Sequence, residues 1–183
     1  MKRLALAVPA ALAFAALGLW ASKPAAADLP QLTVTKVVTI AAAPAKVWGI
    51  IQNFSDLTWF SAVKSSDATD GNNPGSVRTL NLSGPIFHEQ LDAYDADGMS
   101  YSYHATDDPN NVKVVPVTDY HSTLSVKATD DGNGSVVTWT STFNRASPSA
   151  HPPADMDDAA AKKAIAGIYD GALADLKKAA EGS

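Results

Sequence analysis

The stretch from Asp155 to Ala180 constrains this chain more than any other feature, because it reads as one uninterrupted amphipathic helix closing a sequence built mostly of strands. Ala161, Ile165, Ile168, Ala172 and Leu176 recur at three or four residues, with Tyr169 and Leu173 flanking them, and so mark a single apolar stripe. Asp155, Asp157 and Asp158 at its start and Lys177 and Lys178 at its end suit the helix dipole. At ~1.5 Å per residue such a helix runs roughly 39 Å, long enough to cross a whole sheet. A stripe of that length must be buried, and the preceding strands are the surface that can bury it.

Those strands are legible from alternation and turn chemistry. Leu32 to Ile40 is β-branched and alternating, which predicts a strand. Pro44 then opens a helical period in which Val47, Trp48, Ile50 and Ile51 share a face, and Phe54 to Phe60 follows as a second short helix or a turn. Val63 to Thr69 has the makings of a strand before the Asp70 to Gly75 loop. Ser76 to Leu82 and Ile86 to Tyr94 form a hairpin about Ser83-Gly84-Pro85, and Met99 to Ala105 follows the Asp95 to Gly98 turn. Asp107 to Pro116 is irregular. Asp119 to Thr129 and Ser135 to Asn144 make another hairpin, and Arg145 to Pro153, with three prolines, is a linker. The expected fold class is α+β: a curved antiparallel sheet of about seven strands on a long C-terminal helix, with two short helices after the first strand.

The charge is unevenly spread. Lys2 and Arg3 precede an apolar run, Lys23 and the small residues Ala25-Ala26-Ala27 follow it, and no acid occurs before Asp28. This reads as a secretory leader, residues 1–27, cleaved after Ala27, with a single domain over 28–183 and a periplasmic destination. The remaining 11 basic and 19 acidic residues leave the body at −8, which disfavours nucleic acid as a partner. The absence of cysteine rules out a disulfide framework, a thiolate nucleophile and a cysteine-ligated zinc. After leader removal no segment is long and apolar enough to cross a bilayer.

Several motifs, in order, carry a resemblance. They are Ala42-Ala43-Pro44-Ala45-Lys46-Val47-Trp48, Phe54-Ser55-Asp56-Leu57-Thr58-Trp59-Phe60, Gly75-Ser76-Val77-Arg78-Thr79-Leu80, Glu89-Gln90-Leu91-Asp92, Tyr120-His121-Ser122-Thr123-Leu124 and Val137-Thr138-Trp139. Together they resemble the SRPBCC superfamily, the START and birch-pollen-allergen helix-grip proteins, in their polyketide cyclase/dehydrase-type bacterial branch. With the leader in front, the chain is also similar to exported MxaD-type proteins linked to methanol oxidation. The resemblance implies a cavity between sheet and helix. Plant abscisic-acid receptors of the superfamily hold ligand with a glutamate, a tyrosine and a serine, which match Glu89, Tyr120 and Ser122; the lysine they use has no match here.

The alternation itself suggests which residues line such a cavity. Phe87, Glu89, Leu91 and Ala93 form one set, apolar apart from Glu89, so Glu89 is expected to face inward. Arg78, Leu80 and Leu82 join them from the hairpin partner, with Arg78 diagonal to Glu89. Tyr120, Ser122, Leu124 and Val126 face Trp139, Ser141 and Phe143. A buried carboxylate needs a partner, so Glu89 is either one half of a structural pair with Arg78 or the polar anchor of an apolar pocket, unless the register leaves it in solvent. Trp59 gates the pocket or packs in the core. The candidate ligand-binding residues are Glu89, Arg78, Tyr120, Ser122, Trp59, Phe87, Trp139, Ser141 and Ile168.

His88 and His121 fall on outward sets, His104 has no close partner in sequence, and His151 precedes two prolines. None of these spacings is that of a metal site, so neither metal nor cofactor is expected. Three functions fit. One is a binding protein for a small apolar or amphipathic ligand, which the lack of a converging acid–base pair favours. Another is a cyclase- or dehydratase-like enzyme with Glu89 or His104 as catalytic base and Arg78 stabilising an enolate. The third is an accessory protein that docks through its acidic surface on a basic periplasmic partner, a methanol-type dehydrogenase.

Overall fold

The structure, a computed structural model, describes residues 29–182. The expected leader and its cleavage point after Ala27 lie outside the described residues. The alternating segment Leu32–Ile40 is β1, and Pro44–Ile51 is helix α1, with Pro44 in its first turn and Val47, Trp48 and Ile51 buried. The strands Ser65–Ala68 (β2), Val77–Asn81 (β3), Ile86–Asp95 (β4) and Ser100–Ala105 (β5) follow. A one-turn helix, Asn111–Val114 (α2), precedes Val117–Ala128 (β6) and Ser135–Arg145 (β7), and Asp158–Glu181 is the closing helix α3.

The seven strands form one antiparallel sheet in the order β1-β7-β6-β5-β4-β3-β2. Sequential hairpins account for every pairing except β1 with β7, which brings the first strand back beside the last. At the β3–β4 turn Ser83 and Gly84 both take positive φ, 64° and 137°, which joins the two strands tightly.

Helix α3 packs against β1, β7 and α1. Asp157 caps it by accepting from the Ala160 amide at 2.8 Å, so one of the acids expected to favour the dipole does so as the N-cap itself. The loop before it is pinned from the sheet: buried Arg145, at the end of β7, donates to the Ser147 and Ser149 carbonyls and pairs with Asp158. Within the stripe, Tyr169 and Leu173 are fully part of the buried face with Ala161, Ile165, Ala172 and Leu176, whereas Ile168 lies half-buried at its edge.

The architecture is the α+β arrangement expected, with local differences. Phe54–Phe60 is a series of turns, so α1 is the sole helix between β1 and β2, and the other short helix is α2, after β5. Arg78 lies directly opposite Glu89, not diagonal to it. Ala93 is exposed, because an irregularity between Leu91 and Ala93 inserts Asp92 into β4 and ends the inward alternation at Leu91.

Candidate functional site

Between the sheet and α3 lies a cavity of about 240 Å³. Phe87, Glu89 and Leu80 reach it from β4 and β3, Tyr103, Tyr120 and Trp139 from β5, β6 and β7, and Ile165, Ile168 and Tyr169 from α3. Leu57, Phe60 and Val63, in the turns after α1, close the remaining side. The wall is apolar apart from one carboxylate, three tyrosine hydroxyls and the Trp139 indole N–H, the composition expected of a small-molecule site.

Glu89 is 4% exposed and Arg78 1% exposed, and they are bonded to each other. Arg78 donates through Nε and Nη2 to the same oxygen, Glu89 Oε2, at 3.1 and 2.5 Å, and through Nη1 to the Phe54 carbonyl at 3.1 Å. Its guanidinium carbon stands 4.2 Å from the Phe54 ring centroid and 5.2 Å from that of Tyr103. Burial works against the Arg78 charge, but Glu89, Tyr101 and Tyr103 outweigh it and raise its pKa. The pair therefore leaves Glu89 Oε1 without a hydrogen bond from any described residue, on the cavity wall. Arg78 itself does not line the cavity; it holds Glu89 from behind.

A second polar group runs from β7 to α3. Ser122 Oγ has one proton, which goes to the Thr140 carbonyl at 3.1 Å. It must therefore accept from Tyr169 Oη at 2.8 Å, and Tyr169 in turn accepts from Tyr120 Oη at 2.7 Å. Trp139 Nε1 shares its proton between Ser122 Oγ and Tyr103 Oη, at 2.9 and 3.0 Å. Following the protons around this circuit leaves one spare: the Tyr103 hydroxyl accepts from Trp139 but has no acceptor of its own among the described residues. Burial pushes the Tyr169 hydroxyl up to about 12 and lifts Tyr103 and Tyr120 well above the usual phenol range, so all three stay protonated near neutrality.

Of the residues singled out in the sequence, Glu89, Tyr120, Phe87, Trp139 and Ile168 line the cavity together. Ser122 sits one bond behind it, joined to Tyr120 through Tyr169. Ser141 is buried opposite Ser122 across β6 and β7. Trp59 lies behind Trp139, ring centroids 6.2 Å apart. His104 stands on the opposite face of the sheet, where its Nδ1 is 2.6 Å from Asp92 Oδ1. Tyr103 was missed, although Tyr101, Tyr103 and Ala105 alternate as clearly as the neighbouring inward sets.

A curved antiparallel sheet gripping a long terminal helix, with a lined cavity between them, makes this a helix-grip protein of SRPBCC type. The chain belongs to the polyketide cyclase / dehydrase and lipid transport family, whose model matches residues 31–181. Among solved structures it is similar to an uncharacterised protein from Bacillus thuringiensis, at 28% identity and TM-score 0.68, covering 81% of this chain and 98% of that one. It is also similar to the protein XoxI from Bacillus cereus, at 30% identity and TM-score 0.66, covering 81% and 94%. A Nitrosospira multiformis protein, at 23% identity and TM-score 0.66 over 81% and 96%, shares the fold. No curated protein matches the chain.

Proposed function

We propose that this protein binds a small, largely apolar ligand in the cavity between sheet and α3, through a polar end that both donates and accepts a hydrogen bond. The observation that carries this reading is Glu89: Arg78 occupies Oε2 and leaves Oε1 as an acceptor in an apolar wall. The spare Tyr103 proton supplies the complementary donor. A ligand hydroxyl or amide satisfies both groups at once. The 240 Å³ volume favours a compact molecule, since drug-sized ligands take roughly 300–1,000 Å³.

The cyclase- or dehydratase-like alternative uses the same Oε1 as a general base. Arg78 cannot support it by reaching an enolate, because it lies off the cavity wall, behind Glu89, with Nε, Nη1 and Nη2 each bonded to Glu89 or the Phe54 carbonyl. His104, on the other face of the sheet, has no access to the cavity substrate. The binding reading is therefore the stronger of the two.

Export through the leader, cleavage after Ala27 and a periplasmic site of action complete the proposal, supported by the charged start and the Ala25-Ala26-Ala27 run. Docking on a periplasmic dehydrogenase is what the MxaD-type resemblance implies, and the acidic body suits a basic partner. The test of the binding reading is mass spectrometry of small molecules extracted from protein purified from its native host. Wild-type protein should yield a stoichiometric compound that Tyr103→Phe and Glu89→Gln protein lose. An empty wild type under native mass spectrometry, or a compound that both variants retain, overturns it.

A further inference from the structure

The outer face of the sheet, away from the cavity, carries a second assembly of side chains. His104 on β5 and His121 on β6 are directly paired, and their rings lie 5.5 Å apart. Asp92 on β4 completes a triangle: its Oδ1 is 2.6 Å from His104 Nδ1 and its Oδ2 is 3.9 Å from His121 Nδ1. One ligand atom from each of the three lies within 4.8 Å of the others.

Two interruptions of regular pairing place the carboxylates of this assembly. Asp92 is the residue inserted at the β4 irregularity, with Leu91 and Ala93 pairing on either side of it. On β6 the register shifts between Thr118 and His121, and Asp119 there takes φ 51°. That conformation, which aspartate tolerates better than most residues, leaves Asp119 Oδ1 3.5 Å from His121 Nε2. Bulges of this kind commonly re-aim side chains beside functional sites. Here one brings in a carboxylate and the other sets a second carboxylate behind a histidine.

We propose that Asp92, His104 and His121 form a binding site for a divalent transition-metal ion such as zinc. Two imidazoles and one carboxylate are a donor set for zinc, copper or nickel, whereas magnesium and calcium prefer oxygen alone. In a tetrahedral zinc site with bonds near 2.0–2.1 Å, donor atoms stand about 3.3 Å apart. One donor atom from each residue already lies within 4.8 Å of the other two, so rotamer adjustments that draw them together seat an ion. The ion takes the place of the Nδ1 proton that bonds His104 to Asp92, that proton moving to Nε2 or to solvent, and a water takes the fourth position. Asp119 Oδ1, 3.5 Å from the far nitrogen of His121, stands close enough to accept from it once Nδ1 binds the ion, the carboxylate–histidine support common to metal sites. The histidine side chains are 29% and 54% exposed, which leaves the site open to ions from solution.

The test is calorimetric titration of tag-free, chelator-treated protein with zinc chloride, alongside melting curves with and without zinc. One equivalent should bind, and zinc should raise the melting temperature. His104→Gln and His121→Gln should each weaken binding at least tenfold and abolish the thermal shift, while keeping the metal-free melting temperature within a few degrees. Asp119→Asn should cost about tenfold, as loss of an outer support does elsewhere. His88→Gln, on the same face but paired with Asp108, should bind like wild type. Absence of one-to-one binding in the wild type, or binding that survives the two histidine substitutions combined, overturns the proposal and leaves a plain ion-pair cluster.

Discussion

Tyr169 on α3 lies flat against Trp139 on β7, ring centroids 4.4 Å apart and planes inclined by 13°. Through this one contact the helix both packs on the sheet and joins its polar circuit, since the Tyr169 hydroxyl bridges Tyr120 and Ser122. Tyr169→Phe keeps the stack and removes the bridge, leaving two buried hydroxyls short of a partner. It should lower unfolding free energy by about 1–3 kcal/mol in urea titrations. Tyr169→Ala also loses the ring and opens a cavity, and should cost about 3–5 kcal/mol. Equal losses for the two variants would mean that the ring does not carry the docking of α3.

The pair Arg78–Glu89 predicts a different pattern. Arg78→Met leaves an uncompensated buried carboxylate and should cost about 3–5 kcal/mol, whereas the double variant Arg78→Met/Glu89→Met should recover much of that loss. Thermal and urea unfolding of the two single variants and the double variant give the coupling directly. Additive losses would show that the two side chains do not depend on each other.

Burial raises the pKa of Tyr103, Tyr120 and Tyr169, which fixes the sign of an alkaline effect. Unfolded tyrosine releases its proton near pH 10, while the folded residues hold theirs longer, Tyr169 to about 12. The stabilisation is therefore complete below pH 10 and lost as the pH climbs through the folded values. Each tyrosine steepens the fall by up to about 1.4 kcal/mol per pH unit. Stability measured from pH 8 to 12 should bend downward near pH 10, and less steeply in Tyr169→Phe; a flat profile would refute the buried phenols.

Much of this was readable in the chain because period and burial coincide. Phe87, Glu89 and Leu91 share one buried face as their alternation requires, and the helical stripe from Ala161 to Leu176 runs with the buried side of α3. The alternation failed where the backbone departs from its period: the insertion at Asp92 turns Ala93 outward, and nothing in the local residue types announces it. Ile168 and Tyr169 exchange prominence because a 3.6-residue period leaves adjacent positions nearly equivalent at the edge of a stripe. The meeting of His104 with His121 and Asp92 depends on the pairing of three strands. Sequence spacing, the criterion that discounted a metal site, carries no trace of it.

Ile165 and Ile168 both line the cavity but differ in burial, and the difference can be measured. Ile165 is 2% exposed in the helix–sheet interface, so Ile165→Asp buries an unpaired charge and should destabilise by 3 kcal/mol or more, on the order of the largest single-residue effects. Ile168 is half-buried at the cavity edge, so Ile168→Asp should cost about half as much by the same reasoning, yet impair ligand uptake. Thermal melting with extraction of bound small molecules reads both effects. Equal destabilisation would place Ile168 in the central stripe after all.

The cleanest probe of the cavity is Tyr103, because Glu89 serves two masters. Glu89→Gln preserves shape but removes the charge that Arg78 faces, so it should lower stability and ligand affinity together. Tyr103→Phe removes only a hydroxyl whose proton has no acceptor among the described residues, and Trp139 Nε1 keeps Ser122 as its other acceptor. Its stability should therefore fall by less than about 1 kcal/mol, the net worth of an ordinary hydrogen bond. If the hydroxyl donates to the ligand, affinity should drop by about 1–2 kcal/mol, between five- and thirtyfold. Titration of the extracted compound back into wild-type, Tyr103→Phe and Glu89→Gln protein distinguishes these effects. Weakened binding in Tyr103→Phe at unchanged melting temperature places the ligand's polar end at Tyr103. Unchanged binding in Tyr103→Phe, with loss in Glu89→Gln, means that Glu89 Oε1 alone anchors the ligand. Unchanged affinity in both would remove the polar anchor and leave the cavity a purely apolar pocket.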